Sequence, residues 1–161
     1  MSGDPTGFGD VLDSTCVTTD SQRRALGTMR VEYNATYGRR VWVWVKNGEA
    51  SSAWAEGNSV KRKDSTTSYT GVLSTTAAPR TSVLGFAQWA VAAGSYSWIL
   101  THGFGSVKDS GSGLTANTGF TSAASGTVAD GVIGTNDMIG YSAAAVSASA
   151  VGTAFVDCAG A

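Results

Sequence analysis

The chain has 161 residues, of which only 14% are charged, and its formal net charge is −1. That length suffices for one domain with a real core, and the balanced charge gives no electrostatic reason to expect a nucleic acid or a membrane as partner. The 21 glycines against 2 prolines, with many Ser, Thr and Ala, favour short strands and frequent turns over long helices, while 5 tryptophans exclude a disordered chain.

Residues 1–27 read as an N-terminal arm with few large apolar groups, Phe8, Val11 and Leu12 among them, and a weak helix signal around Ser21–Leu26. The opening MSGDPTGFGD has neither a basic segment nor an apolar core, so no secretory leader is read there. Cys16 and Cys158 lie near opposite ends. Free thiols are the expected state, and a staple between the termini is the alternative.

Residues 28–161 read as a single β domain. In 28–34, Met29, Val31 and Tyr33 alternate with Thr28, Arg30 and Glu32, as in a half-buried strand with one wet face. In Val41-Trp42-Val43-Trp44-Val45 the valines take one face and the tryptophans the other. Such a strand needs cover on both sides, from a second sheet, an arm or a partner. Lys46-Asn47-Gly48-Glu49 predicts a tight turn after it. Ten of the eleven basic residues lie before position 81, three of them in Lys61-Arg62-Lys63. A solvated loop is the first reading of that cluster, contact with an acidic protein surface the second, and nucleic-acid backbone the last.

Residues 83–103 (VLGFAQWAVAAGSYSWILTHG) return in faded form at 138–160 (MIGYSAAAVSASAVGTAFVDCAG). At an offset of 55, Gly85 meets Gly140, Phe86 meets Tyr141 and Val91 meets Val146. With one inserted residue, Ile99 and Leu100 meet Phe155 and Val156. Both copies read as strand, small-residue turn, strand. The fold expected is therefore all-β, a small β-barrel or β-sandwich built from repeated strand–turn–strand units behind an extended arm. The strands are placed at 83–91 and 96–101. The low-complexity stretch 105–137 is given turns and two short strands, around 119–121 and 128–133. The apolar run at 83–100 is too interrupted by Gln88, Gly94 and serines to span a bilayer.

Chemistry is sparse. His102 is the only histidine, so a multi-His metal site is excluded. A triad of a serine, His102 and Asp109 or Asp157 has no GxSxG elbow behind it, and a satisfied histidine at a strand end is the preferred reading. The segment Asp130–Asp137 lacks EF-hand spacing. Gly103-Phe104-Gly105 and Gly111-Ser112-Gly113 lack the Lys-Ser/Thr of a phosphate cradle and read as turns. No cofactor, metal or catalytic residue is expected. The Trp42/Trp44 stripe reads as packing, with a platform for sugar rings or bases as the alternative.

The phrase LGFAQWAVAAGSYSWIL at 84–100 resembles small head-decoration (cement) proteins and related virion proteins of tailed bacteriophages. The shared pattern is Gly-x-Ala-x-x-x-apolar-x-x-Gly followed by an aromatic strand, here Gly85, Ala87, Val91 and Gly94, then Tyr96 and Trp98. The resemblance extends over about residues 70–160, and the second copy departs from it with Ala144 in place of Trp89. It implies a non-enzymatic, β-rich protein, often trimeric, that binds the major capsid protein on the outside of the expanded head and strengthens the shell. It implies a virion location after assembly in the host cytoplasm, with no nucleic acid or membrane as partner. Phe8, Val11, Leu12, Trp42, Trp44, Lys61, Arg62 and Lys63 are the contact candidates. Gly85, Phe86, Trp89, Gly94, Tyr96, Trp98, Gly140, Tyr141 and Phe155 are the fold signature. A carbohydrate- or receptor-binding module on a phage fibre or cell surface is the alternative.

Overall fold

A computed structural model of the chain describes residues 18–19 (backbone path), 22–132 and 137–158. Phe8, Val11, Leu12 and Cys16 lie outside the described residues, and so does any pairing of Cys16 with Cys158. The regular structure of the described residues is nearly all strand: β1 Thr18–Thr19, β2 Met29–Asn34, β3 Gly38–Asn47, β4 Ser59–Arg62, β5 Thr70–Leu73, β6 Val83–Ala87, β7 Tyr96–Lys108, β8 Thr118–Ser122, β9 Val128–Asp130, β10 Gly140–Ser142 and β11 Val151–Asp157. Two short 3-10 turns, at Arg80–Ser82 and Ala124–Gly126, are the only helical turns among the described residues.

The ladders close into two rings that share one strand. In the first, β3 pairs with β5, β5 with β4, β4 with β6, β6 with β7, and β7 back with β3. In the second, β7 pairs with β11, β11 with β10, β10 with β8, and β8 with β9. A parallel bridge from Asp109 to Val128 returns this ring to the end of β7. The first half of β7 is thus a wall of one five-stranded barrel and its second half a wall of another.

The repeat seen in the sequence is the closing part of this larger unit. The β6-turn-β7 segment superposes on β10-turn-β11 at a constant offset of 55: Phe86 pairs with Leu100 where Tyr141 pairs with Phe155. No residue is inserted, so Leu100, not Ile99, corresponds to Phe155. The correspondence reaches back through the whole unit. Val60↔Gly85 becomes Phe120↔Gly140, and Lys46↔Tyr96 becomes Lys108↔Val151. Four loops repeat one device, in which an apolar bridge residue is followed three positions later by a left-handed residue. The bridges are Trp54↔Val91 and Leu114↔Val146, and the left-handed residues are Gly57, Gly94, Asn117 and Ser149.

Burial follows the rings. Val43, Val45, Trp54, Val60, Leu84, Ala87, Val91 and Ile99 form one cluster, inside the first barrel. The second barrel fills the matching positions with Val107, Leu114, Phe120, Ile139, Val146 and Ala154, all buried. Trp42, Trp44, Phe86, Trp98 and Leu100 lie on the outer face of the first barrel and join that second cluster, where Phe86 meets Phe120 edge-on at 6.1 Å. On β7, Tyr96, Trp98 and Leu100 face one way and Ser97, Ile99 and Thr101 the other, as the alternation predicts.

Several local expectations change. Strand β6 stops at Ala87. A bulge opposite Val60 and Lys61 puts Leu84 and Ala87 on one face, breaking the alternation expected across 83–91. Lys46–Glu49 does turn, with Glu49 N–H donating to Asn47 Oδ1, but the turn joins no hairpin: β3 and β4 are not neighbours, and the chain crosses the barrel end with Asn47 buried and bonded to Ser52 and Val91 carbonyls. Gly103-Phe104-Gly105 is strand, because bare glycine backbones admit Arg39, Arg40, Leu100 and Gln88. Residues 25–28 form a turn rather than a helix, with Thr28 N–H donating to Ala25.

Gly57 and Gly94 separate two costs of the repeated turn. Both are left-handed, at φ of 79°, but a Cβ on Gly57 would stand 2.8 Å from Lys108 N, whereas on Gly94 it would meet nothing within 4 Å. Gly94→Ala is expected to cost about 1–2 kcal/mol, the left-handed penalty alone. Gly57→Ala is expected to cost clearly more, and urea unfolding of both variants checks the order.

Candidate contact surface

The tryptophan stripe, read from the sequence as packing and also named among the contact candidates, is spent on the chain's own core. Trp42 is 0% and Trp44 1% exposed. Trp42 stacks on Trp89 at 5.5 Å, and Trp44 packs edge-on against Trp98 at 5.4 Å and parallel to Tyr96 at 6.5 Å. Residues just before β2 cover the stripe: Leu26 packs on it, Arg24 lies over the Trp98 ring, and Gly27 N–H bonds the Trp44 carbonyl. Both faces of β3 are therefore closed by the chain itself. Neither tryptophan is available as a contact or a sugar platform, and Trp54 and Trp98 are buried too.

Exposed apolar area collects instead on the β2–β3 hairpin. Met29 is 55%, Tyr33 80% and Tyr37 38% exposed. The alternation of β2 is thus inverted relative to expectation. Its Met29/Val31/Tyr33 face looks outward because Glu32 is drawn in by the core. One oxygen, Glu32 Oε2, accepts from Arg40 Nε at 3.1 Å, Arg40 Nη2 at 2.8 Å and Trp42 Nε1 at 3.0 Å. The Arg40 guanidinium also lies between the Tyr37 and Trp42 rings, 5.1 and 5.0 Å from their centroids. At the tip, Asn34 Oδ1 accepts from the N–H groups of Thr36 and Tyr37. The hairpin is a preorganised projection. Its signal in the sequence was the acid–base pair Glu32/Arg40 flanking the turn.

The basic cluster sits elsewhere on the first barrel, and its side chains reach different neighbours. Lys61 bonds Thr75, Arg62 lies over Tyr69, and Lys63 bonds the Gly48 carbonyl. Lys46 and Lys63 share an open groove of about 340 Å³ with Glu49 and Asp64. Asp64 is held ionised, well below the usual carboxylate range, by hydrogen bonds from Thr67 and Thr66.

The residues considered for catalysis divide. His102 and Asp157 do meet, paired across the β7/β11 ladder with Nδ1 3.4 Å from Oδ1. Asp157 also binds the Arg80 guanidinium, and the His102 ring packs edge-on against Phe155. Next to them, burial and then the charge of Asp157 push the Cys158 thiol up, against a smaller opposing pull from Arg80, so it is a poor thiolate. Asp130 is taken by Thr115 and Asp137 by the Arg80 N–H. Among the described residues no three His, Cys, Asp or Glu side chains gather as a metal site. Nor is any helix there long and apolar enough to cross a membrane.

Asp109 has a structural post. It occupies in the second barrel the place of Asn47 in the first, and Gly111-Ser112-Gly113 is the loop it organises. Its Oδ2 accepts from the N–H groups of Gly111, Gly113 and Ser149 at 2.6–2.9 Å. Burial raises its pKa, but the backbone N–H groups of Gly113, Ser149, Gly111 and Ser110 together outweigh that, and the net shift is downward.

Compared with known proteins, the chain matches no family model, no curated protein and no solved structure.

A carboxyl lowered by folding stabilises the fold above its unfolded pKa near 3.8, and that contribution is lost as pH falls through the folded value. Asp109→Asn is therefore expected to cost about 1–3 kcal/mol at pH 7 and to flatten the loss of stability below about pH 4. Denaturant melts of both proteins from pH 7 to pH 2 check it. An unchanged acid limb would assign that limb to other carboxylates.

Proposed function

We propose that this protein is a capsid decoration protein, binding the major capsid protein on the outside of an expanded phage head and stabilising the shell. The observation that carries the reading is the place of the family-like phrase. Gly85, Ala87, Val91, Gly94, Tyr96 and Trp98 span the strand–turn–strand that closes the first barrel, and the same unit closes the second. The resemblance thus falls on an architectural module rather than on a short string.

Charge supports the same reading. Nine of the eleven Lys and Arg residues lie between positions 23 and 63, with three acids among them, so the cationic side of the molecule is the first barrel. Lys61, Arg62 and Lys63 are the contacts proposed for an acidic capsid surface, together with the segment carrying Phe8, Val11 and Leu12. Each contact can be weak, because many copies act on one particle. The glycan-platform alternative loses Trp42, Trp44, Trp54 and Trp98 to the core, and among the described residues its exposed aromatics are Tyr33, Tyr37 and Tyr141. The histidine reading rests on His102 and Asp157, which among the described residues meet Arg80 and Phe155.

The test is co-sedimentation with capsids assembled from the co-encoded major capsid protein. Stoichiometric binding to expanded heads is expected, with Lys61→Glu/Lys63→Glu binding about tenfold more weakly, a loss of about 1.4 kcal/mol. Wild-type protein that stays in the supernatant with expanded heads would overturn the reading.

A further inference from the structure

Strand β2 ends the sheet, and no described strand lies on its outer edge. The bond from Trp44 N–H to the Thr28 carbonyl, at 2.9 Å, sets the phase of the β2/β3 ladder. By alternation Arg30, Glu32 and Asn34 spend their N–H and C=O groups on β3, and those of Met29, Val31 and Tyr33 point outward. Natural edges are commonly blunted by charged side chains, proline or a bulge. Met29–Asn34 has no proline, its two charges, Arg30 and Glu32, are of opposite sign, and the β2/β3 register runs without a shift.

The edge is self-complementary about Val31. Reading outward from it, Arg30 is balanced by Glu32 and Met29 by Tyr33. We propose that β2 pairs antiparallel with β2 of a second copy of this chain, on a two-fold axis at Val31. In that register Val31 faces the partner subunit's Val31, Arg30 faces the partner's Glu32, and Met29 faces the partner's Tyr33. The outward-pointing residues then meet one another, as an antiparallel ladder requires for both bonds of each pair.

The neighbouring registers fail on stated grounds. A slip of one residue sets outward-pointing groups against inward-pointing ones and forms no ladder. Moving the axis to Arg30 sets Arg30 against Arg30, and moving it to Glu32 sets Glu32 against Glu32, like charges directly opposite. The two-fold contact replaces the trimer implied by the resemblance, and it is independent of capsid binding.

A ladder of this length falls below the roughly 1,200–2,000 Å² of standard interfaces, so the dimer is expected to dissociate on dilution. Sedimentation equilibrium of the full chain over a concentration series should give a monomer–dimer isotherm. Val31→Lys, which sets two ammonium groups face to face, should sediment as a monomer with an unchanged melting curve at low concentration. In a Cys16→Ser/Cys158→Ser background, Val31→Cys should form a disulfide-linked dimer on mild oxidation, because residues in a hydrogen-bonded pair stand about 5.5 Å apart at Cα. Ala35→Cys, away from the axis, should not. A wild-type monomer at every concentration, a trimer, or equal cross-linking at Ala35 would overturn the proposal. A monomer that still sediments with capsids overturns the dimer alone, and a dimer that ignores capsids overturns only the decoration reading.

Discussion

Everything in this fold depends on β7 serving two barrels at once. A strand has two faces and two edges, and each must find a partner or water. Over thirteen residues, Tyr96–Lys108, β7 gives its first half to β3 and β6 and its second half to β11. The glycines in its second half are what make the passage possible. Gly103 lets the Arg39–Arg40 backbone approach, and Gly105 leaves room for Leu100 and Gln88. The side chain of Gln88 then bonds Ser106 on both its N–H and its carbonyl, tying the bend after β6 to the second half of β7.

Sharing a strand makes the two cores continuous at one place. The outer face of the first barrel, rich in tryptophan, becomes a wall of the second cluster through Phe86 and Phe120. This explains how a 161-residue chain buries most of its tryptophans without a separate lid domain. It also explains why the β2–β3 hairpin is the exposed feature. Once Trp42 has taken Glu32 into its hydrogen bonding, Met29 and Tyr33 on the other face of β2 are left exposed, with Val31 half-buried between them.

The polar groups follow the same economy. Asp109, Asn47, Asp64 and Asn34 each hold a loop by accepting backbone N–H bonds, which fixes turns that glycine and serine alone would leave loose. A histidine–carboxylate pair exists, but it lies in a ladder position between two strands and is shared with Arg80.

The sequence by itself determined the strand content, the doubly covered Val41–Val45 strand, the faces of residues 96–101 and the strand–turn–strand repeat. These are local, because period-two alternation and left-handed turn residues act within a few positions. The repeat was legible where Gly85 and Gly140, and Val91 and Val146, kept their identity. Its earlier part had a signal too, in Val45-Lys46-Asn47 against Val107-Lys108-Asp109, but unequal loop lengths shift the offset from 55 to 62 and hide it. Which side of β2 faces water, where β6 bulges, and what covers the tryptophans were decided by the tertiary structure. Each depends on a neighbour distant in sequence: Trp42 for Glu32, Val60 for Leu84, Leu26 for the Trp stripe. A pattern shows that a face must be covered, and only the closed ladder shows which segment covers it.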